Sequence, residues 1–364
     1  MHRQIEGRVL MLSINPIKGG GETHDAKLAS FLARRYVVHG IVCNPWLQNE
    51  MAAAGVAVTR VDAIGIPARY WLCLLALFRV CLTYRPSIAH LNGQGEAYFA
   101  PLLRLLGVKT VITRHAPLCL DNNWLKQRLV NFCFGCGDQV ICVSSLILRE
   151  METIIPRKRL VLIPNWIKDA DIVEPRTIQS KPRPFRLLFV GRLVKFKGAA
   201  DLIEAMKLLE GCELKIVGDG PDRAMLESIA TGLPVTFHGL VHDCMPFYDG
   251  ADLFVFPSYP SLEGQGQTPL EAMARGLPSL VSDIEVVLET VENGRVAGVF
   301  RCGDVRHLAE QVKLMQDPIL LAKLSHAGID RIRHVYSASV VQPMYFKLFD
   351  DLLRTLQVSM GAQN

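Results

Sequence analysis

Short apolar segments alternate with longer segments of helical periodicity along most of the chain. The apolar segments are bounded by Gly, Pro, Asn or Asp, a pattern typical of buried parallel strands connected by helices. In the first half, strands are predicted at 9–14, 37–43, 87–91, 110–113, 139–143 and 160–163. In the second half, they are predicted at 185–190, 213–217, 235–237, 253–256 and 279–281. Each half therefore predicts its own doubly wound α/β unit.

Helical segments lie between these strands. They are predicted at 25–33, 97–106 and 124–134, and then at 199–210, 222–230 and 269–275. The segment 169–184 contains three prolines and mixed charge, which is typical of a linker. We therefore predict two domains, 1–175 and 176–340, facing each other across a cleft, and a helix at 341–364 that returns to the first domain.

The composition is that of a globular chain with a large core, since half of the 364 residues are hydrophobic. No stretch reaches the roughly 18–20 uncharged apolar residues that a membrane-spanning helix needs. The nearest segment, 70–84, is shorter and contains Arg79. The N-terminal residues lead directly into a strand pattern and lack the apolar region of a signal peptide. We therefore expect a cytoplasmic protein.

Positive charge is concentrated in the first half. Residues 1–175 contain 20 Lys and Arg against 13 Asp and Glu, whereas the remainder contains 20 against 22. This imbalance indicates either an anionic partner such as membrane phospholipid or an uneven solvated surface; a nucleic-acid partner is not expected. The segment 69–85 is rich in Trp, Leu, Phe and Arg and fits a helix on an anionic membrane. We favour instead a crossover helix packed into the core.

The ten cysteines fit a reducing compartment, because most lie in apolar segments where a thiol packs as a small hydrophobic group. Cys133 and Cys136 have CxxC spacing. They lack the second Cys pair or His pair that would complete a zinc site, so neither a metal nor a redox role is expected there.

Glycine-rich turns between a strand and a helix are the first candidates for ligand binding. Backbone N–H groups can approach an anion closely at glycine, and a helix N-terminus adds positive potential. The first such turn contains three consecutive glycines at 19–21, with a flexible surface turn as the alternative. The turn after 185–190 contains Arg192 and Lys197, and these two cations could bind one diphosphate. Residues 218–221 have the sequence of a turn, and that sequence alone does not indicate a ligand site.

The stretch SLEGQGQTPLEAMARG at 261–276 contains two glutamates around a glycine-rich turn. Thr268, Pro269 and Glu271 fit a capping box, with Thr as N-cap, Pro at the first helical position and Glu reaching back to the N–H of the cap. Glu271 would then only start a helix. That interpretation leaves Glu263 unexplained.

The ordered series of motifs resembles the retaining GT-B glycosyltransferases of family 4. In chain order the motifs are Gly191-Arg192-Leu193 with Lys197-Gly198, then Gly218-Asp219-Gly220-Pro221, then Phe256-Pro257-Ser258, then Glu263 with Gly264, Gly266 and Glu271. The resemblance covers nearly the whole chain and includes Thr113-Arg114-His115, Val143-Ser144-Ser145, Ile163-Pro164-Asn165 and the final segment 341–356. One motif alone is weak, whereas the ordered series is specific.

The resemblance implies a GT-B fold of two Rossmann-like domains, with a UDP- or GDP-linked sugar on the second and a carbohydrate or lipid-linked acceptor on the first. It implies that Arg192 and Lys197 bind the diphosphate and that Glu271 binds the ribose. Glu263 and His115 would lie near the transferred sugar. In this family the sugar is described as attacked from the same face, and the departing phosphate takes the acceptor's proton. The expected catalytic residues are Arg192, Lys197, Glu263 and His115, and the expected donor-binding residues are Gly19, Gly20, Gly21, Gly191, Gly218, Gly264, Gln265, Gly266, Gln267, Thr268 and Glu271.

Some residues depart from the family pattern. Gln265, Gln267 and Thr268 stand where apolar residues or proline are frequent, and the glutamines could bind sugar hydroxyls. Asn165-Trp166 replaces a frequent Asn-Gly. Asp169-Ala170-Asp171 imitates the metal-binding motif of a different glycosyltransferase fold, but it lies in the predicted linker. We therefore expect no cofactor and no essential metal.

These observations predict a cytoplasmic, metal-independent, retaining glycosyltransferase in surface polysaccharide, lipopolysaccharide or glycolipid assembly. A nucleotide-sugar epimerase has the same two-domain architecture and would act without an acceptor, but it does not account for the series Arg192, Lys197, Glu263 and Glu271. A non-catalytic sugar-binding protein is the third hypothesis. It predicts that Arg192→Ala leaves function unchanged.

Overall fold

The computed structural model describes residues 7–17, 19–62, 65–117, 124–176, 183–260 and 263–361. The chain divides into unit 1, Met1–Ile163 with Gln342–Asn364, and unit 2, Pro164–Val341. Unit 2 starts at Pro164, before the predicted boundary at 175, because the residues after Ile163 form hydrogen bonds with other residues of unit 2. Ile167 forms a parallel bridge with Ser337, for example, and the Val173 N–H donates to the Ala274 carbonyl. Residues 177–182 of the predicted linker lie outside the described residues.

Unit 1 is built on a parallel sheet. Its strands are β1 (Arg8–Ser13), β2 (Val37–Val42), β3 (Ala57–Arg60), β4 (Ile88–Leu91), β5 (Lys109–Arg114), β6 (Gln139–Cys142) and β7 (Leu160–Leu162). They pair in the order β3-β2-β1-β4-β5-β6-β7. The chain order reverses at β1, which has β2 on one side and β4 on the other. At such a reversal, the turns at the carboxyl ends of the strands diverge and leave a crevice.

Helices connect these strands. They are α1 (Gly20–Leu32), α2 (Pro45–Ala53), α3 (Ile66–Tyr84), α4 (Gln94–Ala97), α5 (Ala100–Leu105), α6 (Trp124–Cys136) and α7 (Ser145–Glu152). The buried side chains of α3, α5, α6 and α7 share one apolar core with strand residues such as Leu12, Ile112 and Val140. These four helices therefore cover the same face of the sheet.

Helix α3 is apolar on both of its faces. One face buries Cys73, Leu77 and Val80 in the core. The opposite face exposes Trp71, Leu75, Phe78 and Leu82. Core packing therefore explains only one face of the segment 69–85. Among the described residues, α3 is also the one helix with the length and hydropathy to cross a membrane, although it connects β3 to β4 of a single sheet.

Unit 2 has a second parallel sheet. Its strands are β8 (Phe185–Val190), β9 (Cys212–Val217), β10 (Val235–Gly239), β11 (Leu253–Phe256), β12 (Ser279–Ser282) and β13 (Gly298–Phe300), in the order β10-β9-β8-β11-β12-β13. The connecting helices are α8 (Ala199–Met206), α9 (Arg223–Ile229), α10 (Met245–Gly250), α11 (Gln267–Ala274), α12 (Glu285–Thr290), α13 (Val305–Leu314) and α14 (Pro318–Arg331). Here the order reverses at β8, which lies between β9 and β11.

The last helix, α15 (Ala338–Gly361), starts in unit 2 and continues into unit 1. Within unit 1, the Tyr345 hydroxyl lies 2.9 Å from His24 Nε2. Asp350 accepts a hydrogen bond from the Tyr36 hydroxyl at 2.6 Å and pairs with Arg35 at 2.7 Å. Polar contacts to buried groups therefore fix the end of the chain on the first domain.

The predicted two-domain α/β architecture is confirmed. Each predicted strand is present, but β3 and β13 were not predicted. The side chains of Ala57–Arg60 are all at least partly exposed, and Gly298–Phe300 begins with a glycine that interrupts the apolar segment. The predicted helix at 97–106 corresponds to α5 (Ala100–Leu105), and the separate helix α4 (Gln94–Ala97), which ends at the first residue of the predicted helix, was not predicted. Pro101 stands at the start of α5, where its missing N–H prevents a continuous helix.

Candidate active site

The loops that follow β8, β9 and β11 are in direct backbone contact at the carboxyl end of the sheet of unit 2. A Cβ atom on Gly218 (φ +135°) would lie 1.9 Å from the Gly191 carbonyl oxygen. A Cβ atom on Gly198 (φ +70°) would lie 1.9 Å from the Pro257 carbonyl oxygen. Only glycine fits at either position, because of both the space and the backbone conformation. The loop 191–198 is therefore fixed between its two neighbours.

Lys197 and Glu263 form an ion pair on these loops. Lys197 Nζ donates to Glu263 Oε1, and the Ser258 hydroxyl donates to the same oxygen at 3.1 Å. The side chains of Lys197 and Glu263 are 20% and 8% exposed. Nζ also lies 5.5 Å from the ring centre of Phe256 and 5.7 Å from that of Phe196, which favours a cation at this point. Each of the two predicted catalytic side chains thus orients the other.

Arg192 lies on the same loop as Lys197. Its side chain is exposed, with the guanidinium carbon 5.9 Å from the ring centre of Phe196. Among the described residues it forms no ion pair. The loop 191–198 therefore carries three cations, Arg192, Lys195 and Lys197, and among the described residues only Lys197 is paired with a carboxylate. Such a loop can neutralise a dianionic diphosphate.

The capping-box prediction for α11 is wrong. The helix starts at Gln267, and its N-cap is Gly266 at φ +83°, without a side-chain capping hydrogen bond. Thr268 is therefore inside the helix, and Pro269 is not at the first helical position. The left-handed conformation of Gly266 lets the chain enter the helix two residues earlier than a Thr268 cap would. The cap thus provides no side-chain acceptor for the N–H groups of the first turn.

Glu271 is held by neighbouring side chains instead. The Tyr248 hydroxyl donates to Glu271 Oε2 at 2.9 Å, and Gln267 Nε2 donates to Oε1 at 3.4 Å. Tyr248 is fully buried, and this burial, followed by the nearby Glu271, raises the pKa of its hydroxyl. The hydroxyl therefore stays a hydrogen-bond donor. Glu271 itself is half-buried, so its oriented carboxylate can be reached by a ligand.

Gln265 has a structural role within unit 2. Its side-chain oxygen accepts a hydrogen bond from the Asn165 backbone N–H at 2.6 Å, and its backbone oxygen accepts one from Thr290 at 3.1 Å. Trp166, next to Asn165, is 1% exposed. The two departures from the family pattern, at 265 and at 165–166, are therefore in contact. The side chain of Gln265 is therefore occupied by a contact within the protein. The side chain of Gln267 is half-buried.

In unit 1, the predicted glycine turn is the start of α1, with Gly19 as N-cap and Gly20 and Gly21 as the first helical residues, and it adjoins His115. A Cβ atom on Gly21 would lie 3.4 Å from Asn92 Nδ2 and 4.0 Å from His115 Cδ2. His115 Nε2 lies 2.7 Å from Asn92 Oδ1. Because an amide oxygen only accepts, Nε2 carries the proton and Nδ1 is an acceptor. Burial, and then Arg114, lowers the pKa of His115 to about 4, so a neutral ring is available to a hydroxyl group.

A cluster of titratable side chains is buried beside this turn. The ring of His24 lies 4.9 Å from that of His115. Asp25 Oδ1 lies 3.7 Å from His90 Nδ1 and 4.0 Å from His24 Nδ1. Burial raises the pKa of Asp25 well above its ordinary value and lowers that of His90 to about 3. The two shifts are opposite in direction, and burial is the largest cause of each, because it disfavours the charged form of both groups.

In the part of the chain that the structure describes, no group of three or more His, Cys, Asp or Glu side chains is arranged to hold a metal ion. Asp169 and Asp171 lie in one short 3-10 turn. Asp169 Oδ1 lies 3.3 Å from both the backbone nitrogen and the hydroxyl of Ser339, which donate to it. The DxD-like sequence therefore has a local structural role.

Two family models match consecutive parts of the chain. The model described as Glycosyltransferase Family 4 matches residues 18–171, and the model described as Glycosyl transferases group 1 matches residues 184–317. The chain belongs to the group 1 glycosyltransferases of family 4. This membership confirms the resemblance to family 4 that was seen in the ordered motifs.

Individual relatives match parts of this family 4 chain. The lipopolysaccharide core biosynthesis glycosyltransferase LpsD of Rhizobium meliloti is 29% identical over 218 residues, which are 58% of this chain and 63% of the relative. The capsular polysaccharide biosynthesis glycosyltransferase CapM of Staphylococcus aureus is 27% identical over 180 residues, 47% of this chain and 47% of the relative. The matches therefore span between about half and two thirds of these relatives.

A solved structure extends the comparison to the fold. HepE of Anabaena, in complex with UDP-glucose, superimposes with a TM-score of 0.80 at 17% sequence identity, covering 94% of this chain and 99% of HepE. This likeness shows a shared fold. The fold of this family 4 chain is therefore GT-B, as the motifs predicted.

The sequence predictions gave no role to His24, Asp25, His90, Asn92, Glu96 and Tyr248, and they named Ser258 only as part of the motif Phe256-Pro257-Ser258. Asn92 directly follows β4, and Ser258 lies just beyond β11, so a polar residue after a buried strand was a usable signal. Tyr248 on α10 and Glu96 in α4 reach the sites through packing between elements that are distant in the sequence. Nothing in their local sequence indicates those contacts.

The Lys197–Glu263 pair gives a first prediction. We expect Lys197→Met to lower the free energy of unfolding by about 3–5 kcal/mol, because Glu263 is left as a buried and unpaired carboxylate. The double variant Lys197→Met/Glu263→Gln should recover most of that loss in urea unfolding. Lys207→Met, which breaks an exposed pair with Glu204, is the control and should cost less than about 1 kcal/mol. A double variant no more stable than Lys197→Met would contradict this account of the pair.

Glu96 gives a prediction about pH. Its carboxylate accepts a hydrogen bond from the Ile14 backbone N–H at 2.8 Å, and burial raises its pKa from 4.5 to about 8. Between these values the folded protein holds a proton that the unfolded chain releases. The unfolding free energy contributed by Glu96 should therefore fall as pH rises from about 5 to about 8, with a slope of at most about 1.4 kcal/mol per pH unit.

The matched variant is Glu96→Gln, whose amide oxygen can still accept from Ile14 but does not titrate. Urea unfolding at several pH values should show wild type losing stability relative to this variant across that window. The buried histidines are present in both proteins, so their contributions cancel. A constant difference between the two proteins from pH 5 to 8 would show that Glu96 does not titrate in this range.

Proposed function

We propose that this chain transfers a sugar from a nucleotide-diphosphate sugar to a hydroxyl group of an acceptor, with retention of the anomeric configuration. The observation that carries the proposal is the set of loops after β8 and β11, which holds Arg192, Lys197 and Glu263 on one surface. The relatives named as lipopolysaccharide and capsular polysaccharide glycosyltransferases support the reaction class. The UDP-glucose bound by HepE supports a nucleotide-sugar donor.

The leaving group sets the electrostatic demand of this reaction. The bond between the anomeric carbon and the diphosphate oxygen breaks while the sugar gains oxocarbenium character, so negative charge grows on the phosphate. Arg192 and the Lys197 ammonium supply fixed positive charge for it. Glu263 keeps the ammonium in position and lies next to the transferred sugar. No essential metal is needed in this scheme, because the two side chains carry the neutralising charge.

The nucleoside half of the donor is assigned to Glu271. Its carboxylate is oriented by Tyr248 and accepts hydrogen bonds from the ribose hydroxyls. The N–H groups at the start of α11 and the turn at Gly264 and Gly266 bind hydroxyl or phosphate oxygens of the donor. Gln267 is the side chain on this turn that we assign to a sugar hydroxyl.

Unit 1 is assigned to the acceptor and to part of the sugar. His115 is neutral and presents Nδ1 as an acceptor to a sugar hydroxyl, while the glycine turn at 19–21 allows close approach of the substrates. The acceptor oxygen attacks the anomeric carbon from the face that the diphosphate leaves. Its proton passes to the departing phosphate oxygen, so no protein base is required.

The acceptor that we propose is a carbohydrate or a lipid-linked sugar of surface polysaccharide, lipopolysaccharide or glycolipid assembly. Such an acceptor would be met at the cytoplasmic face of a membrane with anionic lipid. The basic balance of residues 1–175 supports this assignment, since it favours association with a negatively charged surface.

The role of Arg192 tests the proposal. We expect Arg192→Ala to lower kcat for transfer, or for slow donor hydrolysis, by about 100- to 1,000-fold, because one of two charges that stabilise the leaving diphosphate is lost. The assay is run with a chelator present and follows nucleoside diphosphate release. Arg295→Ala, at an arginine that is 82% exposed in unit 2, is the control and should keep wild-type turnover. Equal turnover of Arg192→Ala and wild type would overturn the assigned role.

A further inference from the structure

The described residues of unit 1 expose an apolar surface that the proposed reaction does not use. It is formed by α3, by α5 with its last neighbour Leu106, and by α6, and we call it the α3–α6 surface. Its exposed apolar residues recur at helical spacing on the two longer helices: Trp71, Leu75, Phe78 and Leu82 on α3, and Leu125, Leu129 and Phe132 on α6. More than half of the exposed large apolar side chains in the described residues belong to this surface. Clustering of this kind marks an interaction site.

The outer faces of α3 and α6 expose large apolar side chains, whereas their inner faces are packed in the core. Trp71 is 63% exposed, Phe78 is 49% exposed and Phe132 is 61% exposed, whereas Cys73 and Phe134 on the inner faces are buried. An ordinary surface helix presents polar residues to water. A helix that is apolar on both faces indicates that something apolar covers its outer face.

The same helices carry only positive charge. They contain no Asp or Glu, and their charged residues are Arg69, Arg79, Arg104, Lys126 and Arg128. Two copies of the chain paired by a two-fold axis would bring identical positive surfaces together, which is unfavourable. An anionic lipid bilayer complements both properties, because it offers phosphates to the cations and acyl chains to the apolar side chains.

A groove beside α3 provides a place for a lipid headgroup. It has a volume of about 790 Å³ and is lined by Arg79 of α3, by His39 of β2 and by Arg60 and Asp62, which form an ion pair with each other at 2.7 Å. Burial lowers the pKa of His39, which disfavours a charged ring. Arg79 forms no ion pair with any residue that the structure describes. It is therefore the cation that can bind a phosphate there while its stem lies against apolar side chains.

We propose that the α3–α6 surface binds an anionic phospholipid bilayer, with Trp71, Phe78 and Phe132 among the acyl chains and Arg79 on the phosphates. Helix α3 lies along the bilayer surface, because its two ends lead to strands of the same sheet. The proposal rests on the proposed function only in placing the transferase where a lipid-linked acceptor would be. Lipid binding itself requires neither donor nor acceptor.

The test uses the full chain with vesicles of phosphatidylcholine, with and without phosphatidylglycerol, separated by sedimentation. Wild type should bind the vesicles that contain phosphatidylglycerol and bind less as salt is raised. Phe78→Glu/Phe132→Glu should weaken binding at least about tenfold, and Arg79→Glu should do so by a similar factor, because each loses apolar insertion or phosphate contact. Leu314→Glu/Ile319→Glu, at exposed apolar residues of unit 2, is the matched control and should bind like wild type.

Donor hydrolysis and light scattering separate the outcomes. All variants should keep the slow hydrolysis of the nucleotide sugar, which shows that they fold and that lipid binding is a separate property. Loss of hydrolysis in wild type as well would overturn the proposed function and leave the vesicle result standing. Equal vesicle binding by wild type and Phe78→Glu/Phe132→Glu would overturn the α3–α6 proposal. So would a dimer that binds no vesicles and that the same substitutions dissociate.

Discussion

Backbone contact between the loops after β8, β9 and β11 is the constraint on which the site of unit 2 depends. Gly198 and Gly218 permit carbonyl groups of the neighbouring loops to approach to distances that any side chain would block. The loop 191–198 therefore has one position. Arg192 and Lys197 project from it, and Glu263 meets Lys197 from the loop that follows β11. Gly198 and Gly218 are thus required for the loops to pack, and the surface that a ligand can reach results from this packing.

The two units differ in the charge and burial of the titratable side chains at their sites. Unit 2 presents the exposed Arg192 and Lys195 and the paired Lys197 on one loop, which suits a diphosphate that brings negative charge. Unit 1 instead buries Asp25 and Glu96 with raised pKa values and keeps His90 and His115 neutral. Burial is the main cause of these pKa shifts, and Arg114, itself buried, contributes to that of His115.

Apolar segments predicted the strands well, because strands buried on both faces form continuous apolar runs that local sequence reveals. The half-exposed β3 lacks that signal, and in β13 the apolar run is interrupted by Gly298. At α11 the local pattern was misleading, because Thr268, Pro269 and Glu271 fit a capping box while Gly266 starts the helix earlier.

Predictions of site residues depended on tertiary contacts to different degrees. Arg192, Lys197 and Glu263 could be named from ordered motifs, but their mutual ion pairing could not. The bonds from Tyr248 to Glu271 and from Asn165 to Gln265 join residues far apart in sequence. For α3, the composition fitted both a helix packed into the core and a helix on a membrane surface. The structure shows that one face of α3 packs into the core while the other is exposed.

The central claim is that the loops of unit 2 bind a nucleotide-diphosphate sugar. Its most direct test is native mass spectrometry of the full chain with a panel of UDP- and GDP-linked sugars, followed by a search for slow hydrolysis. One class of donor should bind, with one molecule per chain, and should be slowly converted to nucleoside diphosphate and free sugar. If no nucleotide sugar in the panel binds, the claim is contradicted.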